Sequence, residues 1–329
     1  LYLAQIRLLD KNWQPVALGQ ERARDAVNMA RIAMGFSAEE LAQKPALFAI
    51  INTNSPLQLD VPMAEGLIEM AAAGQAVCVT PFTLAGAMAP VTLAGTLAQQ
   101  NAEALAGITL VQAVRPGAPA VYGAFTSNVD MRSGSPAFGT PEYAKAAQAS
   151  GQLARRYGLP FRSSCVTSSN VVDAQSTYES AMSLWAAITG GANIIVHAAG
   201  WLEGGLTASY EKLIVDAEML QMMAEYLRPI EVTPDTLALD AIAEVGPGGH
   251  FFGARHTMSR YQTAFYQPFL SDRRNFETWQ EAGAEDALVR ANRIWKTLLE
   301  KYQQPSLDDA VDEALVEYVK QRKSERASQ

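Results

Sequence analysis

Histidine is scarce in this chain, and two of its three histidines lie in or beside a glycine-rich segment. The segment runs from Gly246 to Gly253, with His250 inside it and His256 shortly after it. Four glycines in eight residues let the backbone adopt positive φ angles or approach a ligand closely. Since imidazole changes charge near neutral pH, either histidine could hold a substrate or move a proton. His197 ends an apolar segment, where a structural histidine is an equally good interpretation.

Other chemistries for these residue types can be compared with the spacing that is present. The glycine segment lacks the Lys-Ser/Thr of a phosphate loop and the spacing of a dinucleotide fingerprint. Zinc could use Cys78, Cys165 and the histidines. No CxxC or HxxxH spacing occurs among them, so the zinc ligands would have to come from separate strands. No GxSxG elbow for a serine nucleophile occurs either.

Three carboxylates follow predicted strands and could form an acid and base pair. They are Asp130, Asp173 and Glu203, and paired carboxylates are the groups that glycoside hydrolysis requires. Asp173 is equally suited to cap a helix, and Asp130 to anchor a loop. Both interpretations stay open at this point.

The elements that must position these residues alternate between short apolar segments and helical patterns. The predicted strands are Leu47–Thr53, Ala76–Thr80, Ile108–Val114, Ala120–Phe125, Phe161–Thr167 and Asn193–His197. We predict an α/β fold, a TIM-type (β/α)8 barrel at residues 46–280 with helical extensions at 1–45 and 281–329. A seventh and an eighth strand are expected from Leu237–Ile242 with the glycine segment, or from upstream residues. An open doubly wound sheet is the structural alternative.

Helical spacing and end signals predict the elements between the strands. The best-defined helices are Thr140–Tyr157, Asp173–Thr189 and Ser209–Leu227. The turn Arg115–Pro119 is too short for a helical crossover between the strands predicted on either side of it, so the βα repeat is interrupted there. The polar tail Lys320–Gln329 is expected to fray.

Charge and hydropathy exclude two classes of partner. The chain has 26 Lys and Arg against 34 Asp and Glu, a net charge of −8, which argues against binding nucleic acid or anionic lipid through charge alone. No apolar segment approaches the roughly 20 residues of a membrane span, and we expect a cytoplasmic protein. Cys78 and Cys165 lie in apolar segments, which favours two buried thiols over a disulfide.

Several strings of residues resemble the trimethylamine methyltransferase family over roughly Asn52 to Glu281. The strings are Tyr122-Gly123, Asp130–Gly134, Asp173–Gln175 with Tyr178-Glu179, Gly190–Asn193, Ser209–Glu218 and Gly248–Gly253 with His256-Thr257. The resemblance implies an α/β barrel that binds a methylated amine and presents it to the cobalt of a separate corrinoid protein. It also implies that no cofactor is tightly bound, and homo-oligomers are an expectation at the level of the family.

One position departs from the archaeal members that use trimethylamine. Those members carry pyrrolysine, which by our placement falls in Ser168–Asp173, where this chain has ordinary residues and Asn170 is the nearest candidate. The resemblance therefore points to the branch that demethylates quaternary amines, such as glycine betaine, carnitine or proline betaine. The nitrogen of a quaternary amine becomes neutral when it loses a methyl group, so no proton is needed, and the protein must mainly orient the methyl group.

A quaternary cation is best held over aromatic faces, with a polar group for the rest of the substrate. The aromatic candidates are Phe251, Phe252, Phe82, Tyr122 and Trp201. The candidate catalytic residues are His250, His256 and Asn170, and further substrate contacts are expected from Asn54, Asp130 and Glu203. Two other functions stay open. One is a barrel hydrolase or lyase that uses Asp130 or Glu203, and the other is a protein that binds a betaine without turnover.

Overall fold

The computed structural model describes residues 1–327, which contain fourteen α-helices, ten strands and a 3₁₀ turn at Glu203–Gly205. The helices are α1 (Tyr2–Leu8), α2 (Gln20–Met34), α3 (Ala38–Gln43), α4 (Val61–Ala72), α5 (Leu93–Val114), α6 (Pro141–Arg156), α7 (Ala174–Thr189), α8 (Tyr210–Tyr226), α9 (Pro234–Leu237), α10 (Leu239–Val245), α11 (Arg255–Met258), α12 (Phe276–Glu281), α13 (Ala287–Glu300) and α14 (Asp309–Ala327). The strands are β1 (Phe48–Ile51), β2 (Ala76–Val79), β3 (Phe82–Ala85), β4 (Ala120–Gly123), β5 (Phe125–Val129), β6 (Pro136–Ala137), β7 (Phe161–Ser164), β8 (Ile194–Val196), β9 (Trp201–Leu202) and β10 (Thr207–Ala208).

Five parallel strands form the central sheet in the order β1-β2-β4-β7-β8. Each strand follows its neighbour after a helix, which is the pattern of βα units. The sheet curls into a half-barrel whose outer face packs on helices, with Ala49, Ile51 and Val79 against Leu67 and Met70 of α4 in one buried core. The α/β class is confirmed. The structure of residues 1–327 supports a half-barrel and does not establish a closed barrel of eight strands.

Two strands of the half-barrel continue beyond its carboxyl edge as a second sheet. In the main sheet Val77 pairs with Ala120. In the second sheet Phe82 pairs with Phe125, so β3 and β5 keep the register of β2 and β4. The Phe125 N–H bridges the break by donating to the carbonyl of Pro81 at 3.1 Å. Because of this extension, Phe82 and Phe125 lie beyond the carboxyl edge of the main sheet, the edge at which barrel enzymes hold their active sites.

The predicted strand Ile108–Val114 is wrong, because these residues form the last two turns of α5. Burial along α5 recurs at helical spacing, through Gln100, Ala104, Ile108 and Val111. Ile108 and Val111, β-branched residues of the type that favours a strand, here lie on the buried face of a helix. The turn Arg115–Pro119 consequently joins a helix to a strand, and the βα repeat is not interrupted there.

The predicted strand Leu237–Ile242 is also wrong, because this segment forms the short helices α9 and α10. Thr233 caps α9, and Pro234 occupies its first turn, where the missing N–H of proline costs nothing. Ala238, with φ of 51°, separates the two helices. Neither this segment nor the glycine-rich segment after it adds a strand to the half-barrel.

Most of the predicted helix ends are confirmed. Thr140 accepts from the N–H of Tyr143 at the start of α6, and Ser209 caps α8 through the N–H of Lys212. Asp173 forms a capping box at the start of α7. These ends could be predicted because a cap needs only a hydroxyl or carboxylate next to the first turn.

The two ends of the chain pack against each other. Leu315 of α14 is buried against Ile6 of α1 and Met29 of α2, and Arg322 forms an ion pair with Asp25 at 2.6 Å. The prediction that the tail frays from Lys320 onward is therefore wrong for residues 320–327, which belong to α14. Ser328 and Gln329 lie outside the described residues. None of the helices in residues 1–327 is both long and apolar enough to cross a membrane.

Candidate functional site

The concave face of the half-barrel is polar where β7 crosses it. Phe161 packs on the helix side in the main core, so Arg162 and Ser164, at alternate positions, belong to the opposite face. The hydroxyl of Ser164 lies 3.4 Å from Nδ1 of His197, just beyond β8. The parallel register of β7 and β8 brings these two residues to the same edge.

Arg162 is a buried cation without a counter-ion. Only 2% of the surface of Arg162 is exposed to solvent. Nη1 makes one long hydrogen bond, 3.5 Å to the carbonyl of Ala124, and Nε has no hydrogen-bond partner in residues 1–327. No carboxylate of these residues forms an ion pair with it. Burial lowers the pKa of Arg162, as expected for a charge that has lost water without gaining an anion.

One aromatic ring lies beside this cation on the side of the strand ends, and further rings pack next to it. The guanidinium carbon of Arg162 lies 5.7 Å from the centre of the Phe125 ring. We define the aromatic group as Phe82, Phe125, Phe138, His197 and Trp201. Neighbouring ring centres are 5.0 Å apart for Phe82 and Phe125, 5.3 Å for Phe125 and Phe138, 5.7 Å for Phe125 and His197, and 5.4 Å for His197 and Trp201.

His197 is neutral at physiological pH. Burial lowers the pKa of its imidazole to about 4, and the charge of Arg162 lowers it further in the same direction. Its backbone has φ of 59°, a left-handed conformation that is unfavourable for residues with a side chain. The ring can therefore donate or accept a hydrogen bond without adding positive charge to the aromatic group.

The predicted aromatic candidates divide into three places. Phe82 and Trp201 belong to the aromatic group. Tyr122 lies on the opposite side of β4, fully buried, where its hydroxyl accepts from Gln100 at 2.8 Å and donates to Asn101 at 2.9 Å on α5. The hydrogen bonds of Tyr122 thus face a helix and not the concave side of the sheet.

The glycine-rich segment stands apart from the aromatic group. Phe251 and Phe252 are 45% and 84% exposed, and the rings of His250 and Phe252 are 6.2 Å apart. His256 lies in the short helix α11, and its Nε2 is buried without a hydrogen-bond partner among the described residues. Within residues 1–327, no hydrogen bond or ring contact joins this segment to the aromatic group.

Two of the predicted polar contacts are engaged in their own loops. The Asn54 side chain donates to the carboxylate of Asp60, the cap of α4, and accepts from the backbone N–H of Asp60. Asp130 accepts from Ser133, whose N–H and hydroxyl lower the pKa of the Asp130 carboxyl. Asp130 is therefore ionised at neutral pH and is poorly suited to act as a general acid.

Two further candidates lie at the surface. Glu203 accepts from the Thr207 hydroxyl at 3.0 Å in the turn between β9 and β10. Asn170 is exposed at the tip of the loop after β7. A cleft of about 620 Å³ opens nearby, bounded by Asp130, Phe138 and Ser168. The N–H of Phe138 donates to the Ser168 hydroxyl at 2.7 Å and so joins this cleft to the aromatic group.

Buried carboxylates fix the loops that follow the strands. Glu103 on α5 accepts from the hydroxyls of Thr53 and Ser55, at 2.6 and 2.7 Å, after β1. Glu179 on α7 accepts from the N–H groups of Ser168 and Ser169, at 2.8 and 3.2 Å, after β7. An ionised acceptor holds such donors more strongly than a neutral one, so these acids position the site and have no free oxygen facing it.

Three carboxylates on α8 hold three different segments. Glu211 accepts from Asn292 and Trp295 of α13, and these bonds lower the pKa of Glu211 to about 2. Asp216 accepts from the N–H of Gly200 at 2.9 Å. Glu218 accepts from the backbone N–H groups of residues 269–271. In the described residues, no cluster of His, Cys, Asp and Glu is arranged to hold a metal ion, and both cysteines are free and buried as predicted.

Sequence reasoning missed three residues of this site. Arg162 could have been recognised from the sequence, because an arginine inside an otherwise apolar, buried strand is unusual and needs an explanation. Phe125 was assigned only to a strand end, and Phe138 to no element. Their proximity depends on pairing between β3, β5 and β6, which leaves no local mark in the sequence.

Comparison with known proteins agrees with the earlier resemblance. The profile of the family described as trimethylamine methyltransferase (MTTB) matches residues 1–327. A glycine betaine methyltransferase of Desulfitobacterium hafniense (strain Y51) is 42% identical over 323 residues, 98% of this chain and 67% of the relative. Trimethylamine methyltransferase MttB2 of Methanosarcina mazei is 35% identical over 277 residues, 83% of this chain and 55% of that protein.

A third relative, a trimethylamine methyltransferase of Desulfitobacterium hafniense (strain DSM 10664 / DCB-2), is 33% identical over 313 residues, 94% of this chain and 63% of its own length. The chain thus spans between 55% and 67% of these relatives. Profile and relatives coincide over almost the whole chain, and the chain belongs to the trimethylamine methyltransferase family.

Proposed function

We propose that this chain is part of an enzyme that transfers a methyl group from a betaine to the cobalt(I) of a separate corrinoid protein. The observation that carries the proposal is the buried Arg162, which has no carboxylate partner in residues 1–327 and lies 5.7 Å from the Phe125 ring. A betaine has the complementary pair of charges, a carboxylate and a quaternary ammonium. The similarity to a glycine betaine methyltransferase supports the same choice.

In this proposal the two ends of the substrate meet two different parts of the site. The carboxylate accepts from the Arg162 guanidinium, which relieves the cost of an unpaired buried charge. The trimethylammonium lies over the aromatic group, where each ring contributes about 0.5–2 kcal/mol. Trp201 and His197, at the outer edge of the group, would contact the methyl groups.

The same arrangement disfavours trimethylamine as the donor. Protonated trimethylamine carries a positive charge and no carboxylate, so it would leave Arg162 unpaired and add a second cation beside it. At an effective dielectric constant of 20, two charges about 6 Å apart repel by about 3 kcal/mol. Glycine betaine, carnitine and proline betaine all avoid this cost because each carries its own carboxylate.

The reaction requires little acid or base catalysis from the protein. The nucleophile, cobalt(I), belongs to the partner protein. As cobalt(I) forms a bond to the methyl carbon, the C–N bond breaks and its electron pair stays on nitrogen. The product leaves as a tertiary amine with an uncharged nitrogen and its carboxylate intact. No proton is taken up or released at the amine. The residues of this chain therefore bind, orient and exclude water.

His197 contributes through its lack of charge. Because burial lowers the pKa of His197 to about 4, the ring is neutral at the pH of a cell and does not repel the trimethylammonium. A protonated ring in the same place would do so. The Ser164 hydroxyl, 3.4 Å from Nδ1, restricts rotation of the ring.

The remaining proposals concern residues outside the aromatic group. His250, Phe251, Phe252 and His256 would line the path of the methyl group toward the corrinoid protein, and Asn170 would contact the donor from the loop after β7. That no cofactor is tightly bound, that the protein is cytoplasmic and that it forms homo-oligomers are proposals of the same kind.

A methyl-transfer assay tests the proposal. The full-length protein would be incubated with glycine betaine and a reduced corrinoid protein, and methylcobalamin would be followed by its absorbance. We expect methylation with betaines and a much slower reaction with trimethylamine. Betaine binding without methylation by any corrinoid protein would favour the binding protein, and loss of hydrolysis on substituting Asp130 or Glu203 would favour the hydrolase.

A further inference from the structure

The helix α8 carries a string of residues, Ser209–Glu218, whose conspicuous charged pair makes no contact with the proposed donor site. Lys212 and Asp216 lie one helical turn apart and are 0% and 2% exposed. The ammonium of Lys212 donates to one carboxylate oxygen of Asp216. It also donates to the Ser180 hydroxyl of α7 at 2.8 Å. The pair is thus fixed between two helices.

The second oxygen of Asp216 reaches out of the helix and holds a loop. It accepts from the N–H of Gly200 at 2.9 Å. The carbonyl of Gly200 accepts from the N–H of Ser209 at 2.9 Å. Gly200 has φ of 87°, and a Cβ on it would lie 3.4 Å from Cβ of Leu213 on α8. Both backbone groups of Gly200 are therefore bound to α8 at close range.

This loop joins His197 to Trp201, two members of the aromatic group. His197 has a left-handed backbone, φ of 59°, which persists only where the surrounding structure holds it. Trp201 follows Gly200 directly and pairs with Ala208 of β10. The bond from Asp216 thus holds the loop at Gly200, a position between His197 and Trp201 in the chain.

We propose that Lys212 and Asp216 are positioning residues, an ion pair that fixes His197 and Trp201 in the donor site through the backbone of Gly200. The proposal rests on the proposed function only in taking these two rings to face the methylated amine. Restraint of the loop is a property of the protein alone. Neither residue touches the substrate.

An ion pair suits this task better than a neutral acceptor. A carboxylate holds a backbone N–H more tightly than an amide oxygen does. Burial raises the pKa of Asp216, and the adjacent Lys212 ammonium opposes that rise by favouring the ionised carboxylate. Lys212 also links the two loops of the site. Ser180, which accepts from its ammonium, lies on α7 one residue after Glu179, the residue that holds Ser168 and Ser169.

The test compares two double substitutions that remove both charges. Lys212→Met with Asp216→Asn leaves an amide oxygen for the Gly200 N–H. Lys212→Met with Asp216→Leu leaves none. Glu211→Gln, on the same helix but bonded to α13, is the matched control. The readouts are the NMR titration of the three histidine rings, hydrogen exchange of the Gly200 amide and the Kd for glycine betaine.

In the leucine variant we expect the pKa of His197 to rise by at least about one unit toward its ordinary value, since a released ring regains water. The Gly200 amide should exchange at least about tenfold faster, and the Kd should rise about tenfold as the rings lose their arrangement. The asparagine variant, whose amide oxygen is a weaker acceptor than a carboxylate, should lie between the wild type and the leucine variant. Glu211→Gln should stay close to the wild type in all three.

An unchanged His197 titration and unchanged Gly200 exchange in a folded leucine variant would overturn the proposal. Should that variant not fold, exchange in the wild-type protein decides, because a Gly200 amide that exchanges as fast as a free loop amide contradicts the restraint and a protected one supports it. Neither readout needs a donor. Absence of betaine binding by the wild type would count against the proposed function alone.

Discussion

The guanidinium of Arg162 lies 5.7 Å from the centre of the Phe125 ring and forms no ion pair with any carboxylate in residues 1–327. A buried charge without a partner costs several kcal/mol, and a folded chain usually avoids it by pairing or substitution. The ring only partly offsets that cost, at about 0.5–2 kcal/mol. The unpaired charge of Arg162 is explained if an anionic group of the substrate binds to it.

Replacement of Arg162 tests this relationship directly. In Arg162→Met the Kd for glycine betaine should rise about 10- to 100-fold, because a charge-assisted hydrogen bond contributes about 1.5–3 kcal/mol. Choline, which has the same trimethylammonium but a hydroxyl in place of the carboxylate, should lose no affinity. Calorimetric titration of both ligands measures the difference. Equal losses for betaine and choline would mean that Arg162 does not bind the carboxylate.

The stability of the protein should depend on pH through His197. Its folded pKa is about 4, below the ordinary 6.5, so above pH 6.5 the ring is neutral in both states and contributes nothing. As the pH falls from 6.5 to 4, the unfolded chain binds a proton that the folded protein excludes, and stability falls by up to about 3 kcal/mol. Urea unfolding at pH 4.5, 5.5 and 7.5 measures this.

The variant His197→Gln lacks the titrating ring and should lose part of that pH dependence. His250→Gln is the control, because His250 is exposed and should leave the profile unchanged. A wild-type profile that coincides with that of His197→Gln would show that the ring titrates normally in the folded protein.

Glu103 should contribute strongly to stability through the loop after β1. Its carboxylate accepts from the Thr53 and Ser55 hydroxyls, and also from the N–H of Leu57 at 2.9 Å. In Glu103→Gln one oxygen becomes an NH₂ that faces donors, so we expect a loss of about 2–3 kcal/mol in the free energy of unfolding. Glu244→Gln, at an exposed position, should change it by less than about 0.5 kcal/mol. Denaturant titration compares them, and equal effects would contradict the prediction.

Local signals in the sequence were sufficient for much of the half-barrel. Five apolar segments contain β1, β2, β4, β7 and β8, and Thr140, Asp173 and Ser209 cap helices at the residues where the predicted helices begin. The segment Ile108–Val114 failed because an apolar run inside a long helix and a buried strand look alike over seven residues. Its burial at helical spacing emerges only over the whole of α5.

The sequence by itself determined the α/β class, the caps, the buried thiols and the family strings, because each depends on residue type and on neighbours within a few positions. The tertiary structure decided which residues share a site. Tyr122 and Arg162 both lie on buried strands, yet Tyr122 bonds to α5 and Arg162 lies beside Phe125. Face and partner follow from strand register and from the extension by β3 and β5. Such pairings join residues far apart in the chain, where no local pattern records them.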